Sequence, residues 1–192
     1  GFALKSGGSV TNYSGYITLS AGLPAALRIE RNAAGLVNRN TAVVQPIIQL
    51  VDSAGNPSPT GGVTVKATIT PSASAGVRGS ATTGSSGRAQ FADLRPAGDR
   101  TNVSSTITYS VDGISSTVTQ STSIDPGALT SLSLNGLVVA NGGLAVGTVS
   151  GLDQDRNATP LDPYSMMIGV RLVRVGDPTK AVWLGQSTPT FS

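Results

Sequence analysis

The clearest pattern along the chain is an alternation of apolar and polar residues with a period of two. In residues 63–69 (VTVKATI) the odd positions are apolar and the even ones polar, and residues 106–111 (TITYSV) alternate in the same way. Shorter runs of this kind contain Leu27 and Ile29, then Val44, Ile48 and Leu50, then Ala89, Phe91 and Leu94. Successive side chains of a strand point to opposite faces, so each run predicts a strand that buries one face. No segment has a helical period of 3.6, and the pattern predicts an all-β fold.

Clusters of turn-forming residues separate these runs. They occupy residues 52–57, 61–62, 84–87, 96–99 and 112–113 and consist mainly of Gly, Pro, Asn, Asp and Ser. Such residues accept the backbone angles of tight turns, and Asx side chains hydrogen-bond the backbone two residues on. About seven short strands in roughly 100 residues are typical of an immunoglobulin-like β-sandwich.

The strand and turn pattern recurs along the chain. The run SAGLPAALRIE, which begins at Ser20, is similar to DPGALTSLSLN, which begins at Asp125, at an offset of 105. The run LVDSAGNPSPT, which begins at Leu50, is similar to GLDQDRNATPL, which begins at Gly151, at an offset of 101. A repeat of this length predicts tandem sandwich units, and the difference of four residues predicts one shortened loop.

The repeat divides the chain into three predicted parts. Residues 22–126 form a complete unit, and residues 127–192 form a second unit that stops before its last two strands. Residues 1–21 align at the offset of 105 with the last two strands of the central unit. We therefore expect them to be the end of a preceding unit, or donor strands that complete residues 127–192 of a second copy. Such an exchange would build a filament or a ring.

Four segments of the central unit carry a resemblance to a known family. They are AGLPAALRIE, VVQPIIQLVDSAGNPSPTGGVTVKATI, TTGSSGRAQFADL and TITYSVDGISS. In these segments the chain resembles the bacterial Ig-like modules of the invasin and intimin "big" class, which occur in tandem in large exported proteins. The resemblance implies a non-catalytic scaffold, stalk, adhesive segment or assembly subunit in the periplasm, at the cell surface or outside the cell. The partners that the resemblance implies are neighbouring Ig-like repeats, and the incomplete terminal units described above add copies of the chain itself.

The composition narrows the classes of function. The chain has no Cys and no His, which excludes thiolate metal sites and His-dependent catalytic triads. The ten acidic residues are dispersed in predicted turns, with Glu30 as the only Glu, and we expect no enzymatic activity. Arg28, Arg31 and Arg39 are the closest grouping of basic residues, and no aromatic residues are interleaved with them. Nucleic-acid-binding modules usually have both features, so we expect no nucleic acid among the partners. No apolar run reaches the roughly 18 residues of a membrane span.

One spacing suggests a metal. Asp153, Asp155 and Asn157 form an Asp-x-Asp-x-Asn motif, which is how a calcium-binding EF-hand loop begins. The sixth and twelfth positions of the motif are Ala and Tyr where an EF-hand needs Gly and Glu, so a complete EF-hand is excluded. The alternatives are a polar turn or a looser Ca²⁺ site assisted by Asp162. We expect no other cofactor.

The aromatic residues are few and unevenly placed. Trp183, Tyr164 and Met166 form the only aromatic-rich apolar zone, and Tyr13 and Tyr16 lie near the N-terminus. Core packing is one use of these side chains, and a contact surface for a neighbouring subunit or a glycan is the other. The second use gives an alternative function, an accessory binding module that docks on a larger envelope or membrane complex, or on a glycan, through the C-terminal aromatic region.

Overall fold

The computed structural model describes only part of the chain. It describes the backbone of residues 2–6, 9–13, 20–70, 77–98, 104–139, 145–161, 168–174 and 177–187, and the side chains of residues 20–70, 79–98, 104–136 and 147–161. Every regular element in these ranges is a β-strand, which confirms the predicted all-β class. Among the described residues there is no helix with the length and hydropathy needed to cross a membrane.

The described strands fall into a central group and two flanking groups. The central strands are β3 (Ala26–Arg31), β4 (Ile47–Val51), β5 (Thr64–Thr70), β6 (Val77–Arg78), β7 (Ser80–Thr82), β8 (Arg88–Gln90), β9 (Arg95–Pro96), β10 (Ser105–Val111) and β11 (Ile114–Thr122). The flanking strands are β1 (Phe2–Ser6) and β2 (Ser9–Tyr13) before them, and β12 (Ser131–Val139), β13 (Ala145–Leu152), β14 (Ala158–Thr159), β15 (Ile168–Arg174) and β16 (Asp177–Ser187) after them.

The central strands form two main antiparallel sheets. One sheet has the order β3-β4-β8, and the other has the order β11-β10-β5-β7. The strands β6 and β9 make a separate small pair. Side chains of both sheets meet in one core, in which the rings of Phe91 and Tyr109 pack edge to face with centroids 5.7 Å apart. Each large apolar side chain buried there contributes about 1.5–3 kcal/mol, and two sheets over one core make this part a β-sandwich.

The predicted alternation holds in the second sheet. β5 buries Val65, Ala67 and Ile69 and exposes the residues between them. β10 buries every second residue in the same way, including Ile107 and Tyr109. These two strands pair antiparallel with Ile107 opposite Ile69, so their apolar faces reach the core together.

β4 departs from the expectation that each strand buries only one face. All five of its residues are buried, including the polar Gln49. β4 is the middle strand of its sheet, between β3 and β8. The Gln49 side chain donates to the carbonyl oxygens of Leu50 and Ser86 at 2.9 and 3.1 Å. Val44, which the alternation assigned to this strand, lies before it in an isolated bridge with Ala34 and is 36% exposed. The strand begins at Ile47.

The loop between β3 and β4, residues 32–46, is firmly attached to the sandwich. The backbone of Ala33 exchanges two hydrogen bonds with the side chain of Gln120 on β11, at 2.9 and 2.6 Å. Backbone hydrogen bonds join Asn38 to Asp125 and Arg39 to Pro96, both at 2.8 Å. Several of its apolar side chains, among them Leu36, belong to the core. The loop therefore presents its residues from a fixed position.

After the sandwich, β12, β13 and β14 form a three-stranded antiparallel sheet, while β15 pairs with β16, and β1 with β2, in separate hairpins. β12 pairs with β13 as far as Val139 opposite Ala145. The connection between β3 and β4 spans residues 32–46, and the predicted shortened loop of the second unit stays a prediction. Leu132 and Leu134, which align with Leu27 and Ile29 of the sandwich, are 49% and 46% exposed. The predicted unit boundaries stay predictions.

Candidate functional site at the Asn38–Asp153 junction

The turn that follows β13, residues 153–159, is organised by the carboxylate of Asp153. Its Oδ1 accepts hydrogen bonds from the backbone N–H groups of Asp155 and Asn157, both at 2.9 Å. The backbone N–H of Asp153 donates to the carbonyl of Asn157 at 3.0 Å. An Asp side chain that binds the backbone two and four residues on is a strong turn former, so the local sequence fixes where this carboxylate lies. We call residues 153–159 the Asp153 turn.

The second oxygen of Asp153 faces residues outside the turn. Oδ2 accepts from the backbone N–H of Gly127 at 2.9 Å and from Asn38 Nδ2 at 2.8 Å. The Nδ2 of Asn157 also contacts both carboxylate oxygens, at 3.0 and 3.1 Å. Asp153 is only 2% exposed, and a buried carboxylate is tolerated only when donors compensate for its lost hydration.

Asn38 supplies the sandwich side of this contact. Its Nδ2 donates to Asp153 and, at 2.9 Å, to Asp155 Oδ2. Its Oδ1 accepts from the backbone N–H of Gly98 at 3.1 Å. The carbonyl of Gly98 in turn accepts from Asn157 Nδ2 at 2.8 Å. The amide of Asn38 and the amide of Asn157 therefore join the two parts of the chain through a buried polar network.

A charged pair closes the exposed side of the network. Arg39 Nε donates to Asp155 Oδ2 at 2.7 Å, and Arg39 Nη2 contacts Asp155 Oδ1, which makes a two-pronged ion pair. The side chain of Arg39 is 44% exposed and that of Asp155 is 13% exposed. Arg39 has a φ of 61°, a left-handed conformation that non-glycine residues adopt at a cost. We call the six residues of this contact the junction: Asn38, Arg39, Gly98, Asp153, Asp155 and Asn157.

The hydrogen bonds of the junction set the charge of its carboxyls. Burial raises the pKa of Asp153, but hydrogen bonds from Asn157, Gly127 and Asn38 outweigh burial and lower the pKa to about 2. The hydrogen bond from Arg39 lowers the pKa of Asp155, and the same contact raises the pKa of the Arg39 guanidinium. Both carboxyls are therefore ionised at neutral pH and act as acceptors only.

The predicted calcium ligands take part in hydrogen bonds in this structure. Asp153, Asp155 and Asn157 do come together, but the carboxylate oxygens are occupied by N–H donors, and the nearby cation is the guanidinium of Arg39. In the part of the chain that the structure describes, no group of three or more acidic, His or Cys side chains has the geometry to hold a metal ion. Asp162, which the sequence suggested as an assisting ligand, lies outside the described residues, and a Ca²⁺ site here stays a prediction. The turn at Asp52 is likewise closed by its own Asp side chain.

The other candidate residues are less fully described. Trp183 lies on β16 opposite Arg171, and Tyr13 lies on β2 opposite Phe2; for both, only the backbone pairing is described. Tyr16, Tyr164 and Met166 lie outside the described residues. A contact role for these five residues stays a prediction.

Each of the three arginines of the nearest basic patch has a partner, and Arg28 shares its partner Glu30 with Arg88. Arg28 lies 3.7 Å from Glu30, and Arg31 donates to the carbonyl of Gln45 at 2.7 Å. Arg39 binds Asp155. The three guanidinium groups are thus engaged in separate contacts. Asn38 and Gly98 were missed from the sequence because nothing in their local pattern marks them as partners of the Asp153 turn.

The chain matches no protein-family model and has no significant similarity to a curated protein.

Proposed function

We propose that the chain is a non-catalytic structural segment of an exported protein built from Ig-like β-sandwich units, and that the junction holds one unit against the next. The repeat in the sequence and the resemblance to tandem Ig-like modules support the array. The β-sandwich of residues 26–122 and the separate sheet of β12–β14 support successive units. In such arrays each unit contacts mainly its neighbours, so the contact between neighbours determines the stiffness of a stalk or scaffold.

The burial of Asn38 is the observation that carries this proposal. The side chain is 2% exposed, and its partners lie on both sides of the contact, Gly98 on one side and Asp153 and Asp155 on the other. A buried amide that lost half of these partners would leave polar groups unsatisfied, which costs about 1–3 kcal/mol per group. The two parts are therefore held in one relative orientation.

Distances between spin labels test whether the junction is stiff. The chain has no Cys, so Ser115→Cys and Asn135→Cys, both at exposed positions on opposite sides of the junction, accept labels without background. Pulsed electron-spin resonance of the labelled chain is expected to give one narrow distance distribution. Asn38→Ala is expected to broaden it, because the carboxylates of Asp153 and Asp155 lose their shared donor.

Asn40→Ala is the matched control. Asn40 lies in the same loop, is exposed, and among the described residues none hydrogen-bonds its side chain. This variant is expected to leave the distribution narrow. A broad distribution in the unmodified labelled chain, or equal widths for the two alanine variants, would contradict a stiff junction.

A further inference from the structure

The Asp52 turn, residues 52–58, repeats the backbone hydrogen-bond pattern of the Asp153 turn. Asp52 Oδ1 accepts from the backbone of Ala54 and Asn56, both at 2.9 Å, as Asp153 Oδ1 accepts from the equivalent positions. Asp52 Oδ2 accepts from the backbone of Gly22 at 3.0 Å, as Asp153 Oδ2 accepts from Gly127. In each turn a hydroxyl closes the ring, since Ser58 donates to the carbonyl of Gly22 at 2.8 Å and Thr159 does the same at Gly127.

The two turns differ in what covers them. Asn157 is 6% exposed because Gly98 and Asn38 lie over the Asp153 turn. The equivalent Asn56 is exposed, and among the described residues its Nδ2 donates only to Asp52, at 3.3 Å. Next to the Asp52 turn, Leu23 leaves 85% of its surface in contact with solvent. One turn thus forms a junction, while the other has an equivalent Asp carboxylate and Asn amide and no cover among the described residues.

We infer that the Asp52 turn is the docking site for a preceding β-sandwich unit, whose β3–β4-type loop would place a side-chain amide on Asp52 Oδ2 and a backbone carbonyl on Asn56 Nδ2. These are the two contacts that Asn38 and Gly98 make at the Asp153 turn. The inference rests on the proposed function, since it takes the junction to be the way in which successive units bind. It adds which residues of the sandwich receive the unit before it.

One difference between the turns defines the chemistry of that partner. Ala54 occupies the position of Asp155, so the Asp52 turn has no carboxylate for a guanidinium such as that of Arg39. The preceding unit is therefore held by its amide and carbonyl groups, and a cation at the position of Arg39 would add nothing. The two turns bind the same type of loop, but only the Asp153 turn has a second carboxylate that pairs with a cation of that loop.

Insertion of a second copy of residues 22–126 directly after Pro126 tests the inference in the intact chain. The inserted copy then follows a sandwich as residues 127–161 do now, so its Asp52 turn faces the upstream Asn38 and Gly98. Hydrogen exchange of the inserted copy's Gly22 and Asn56 backbone amides is expected to slow by about tenfold relative to the original copy of the turn in the same molecule. Asn38→Ala in the upstream copy is expected to abolish that slowing.

A charge test adds an independent measurement. Ala54→Asp in the inserted copy creates the missing partner for the upstream Arg39, and exchange is expected to slow by a further factor of about three. Arg39→Met upstream is expected to remove this gain but not the original slowing. Equal exchange in both copies of the turn, or no effect of Asn38→Ala, would overturn the inference. The native Asp153 junction in the same molecule is the reference. If its backbone amides are protected from exchange while those of the inserted turn are not, only this inference fails. If the amides of both turns are unprotected, the proposed function fails as well.

Discussion

Asn38 and Asp153 lie 115 positions apart in the chain and are joined by a buried hydrogen bond of 2.8 Å between Nδ2 and Oδ2. The bond connects a loop of the central sandwich to the turn after β13. A hydrogen bond from an amide to a carboxylate is stronger than a hydrogen bond between two neutral groups. Because the same amide also binds Gly98 and Asp155, the relationship involves three contacts that form or break together.

Removal of the Asn38 amide should destabilise the folded chain more than a typical single substitution does. We expect Asn38→Ala to lower the free energy of unfolding by about 2–3 kcal/mol, since it leaves Asp153 and Asp155 with fewer donors and removes the Asn38 oxygen that accepts from the N–H of Gly98. Asn40→Ala, the exposed neighbour in the same loop, is expected to change it by less than about 0.5 kcal/mol. Urea unfolding of both variants measures the difference, and equal midpoints would mean that the junction does not contribute to stability.

The low pKa of Asp153 predicts a loss of stability in acid. The folded pKa, about 2, lies below the ordinary value of 3.8, so the folded state favours the charged form. This contribution to stability is therefore complete above about pH 4 and is lost as the pH falls towards 2. Unfolding by urea at a series of pH values measures the slope, and the carboxyl carbon shift of Asp153 reports its titration directly.

Asp153→Asn separates this carboxyl from the other acidic groups. The variant keeps the shape of the side chain but replaces one acceptor oxygen by a donor, which faces the donors of Gly127 and Asn38. We expect it to be less stable at pH 7 and to lose less stability between pH 4 and pH 2. An acid slope identical to that of the unmodified chain would show that other carboxyls cause the loss.

The sequence predicts strands well where one face of a strand is buried. The alternation in residues 63–69 and 106–111 marks the buried residues of β5 and β10, because these strands have one face on the core and one towards solvent. It fails at β4, where Gln49 is buried and its side chain donates to the carbonyl oxygens of the adjacent Leu50 and the distant Ser86. A polar residue in such a place has the same local pattern as an exposed one.

The sequence predicted the turn at Asp153 but not the residues elsewhere in the chain that contact it. The motif at Asp153, Asp155 and Asn157 marked the correct residues as polar and clustered, since an Asx turn has a local signature. The donors that reach them come from Asn38 and Arg39, more than a hundred positions earlier. Whether a carboxylate binds a cation or an amide depends on what the fold brings next to it, and a single local motif does not contain that information.

Two glycines with positive φ should respond very differently to the same change. Gly55 has a φ of 82° and Gly87 a φ of 75°, so alanine is strained at both, by about 1 kcal/mol. A Cβ at Gly55 has nothing within 4 Å, whereas one at Gly87 would lie 1.8 Å from the carbonyl oxygen of Ser58. We expect Gly55→Ala to fold normally with a small loss, and Gly87→Ala to lose about 3 kcal/mol or more. Thermal unfolding of the pair measures the difference, and similar losses would contradict the close approach of residues 58 and 87.

Two arginines with positive φ among the described residues provide the opposite test. Arg156 has a φ of 68° and Arg39 a φ of 61°, and Gly55 holds the position equivalent to Arg156 in the Asp52 turn. Arg156 is exposed, so Arg156→Gly relieves the backbone and is expected to raise the free energy of unfolding by up to about 1 kcal/mol. Arg39→Gly relieves the same strain but removes the ion pair with Asp155, and no net gain is expected. Urea unfolding of the two variants side by side measures both effects. A gain for Arg39→Gly as large as that for Arg156→Gly would show that the ion pair adds nothing to the junction.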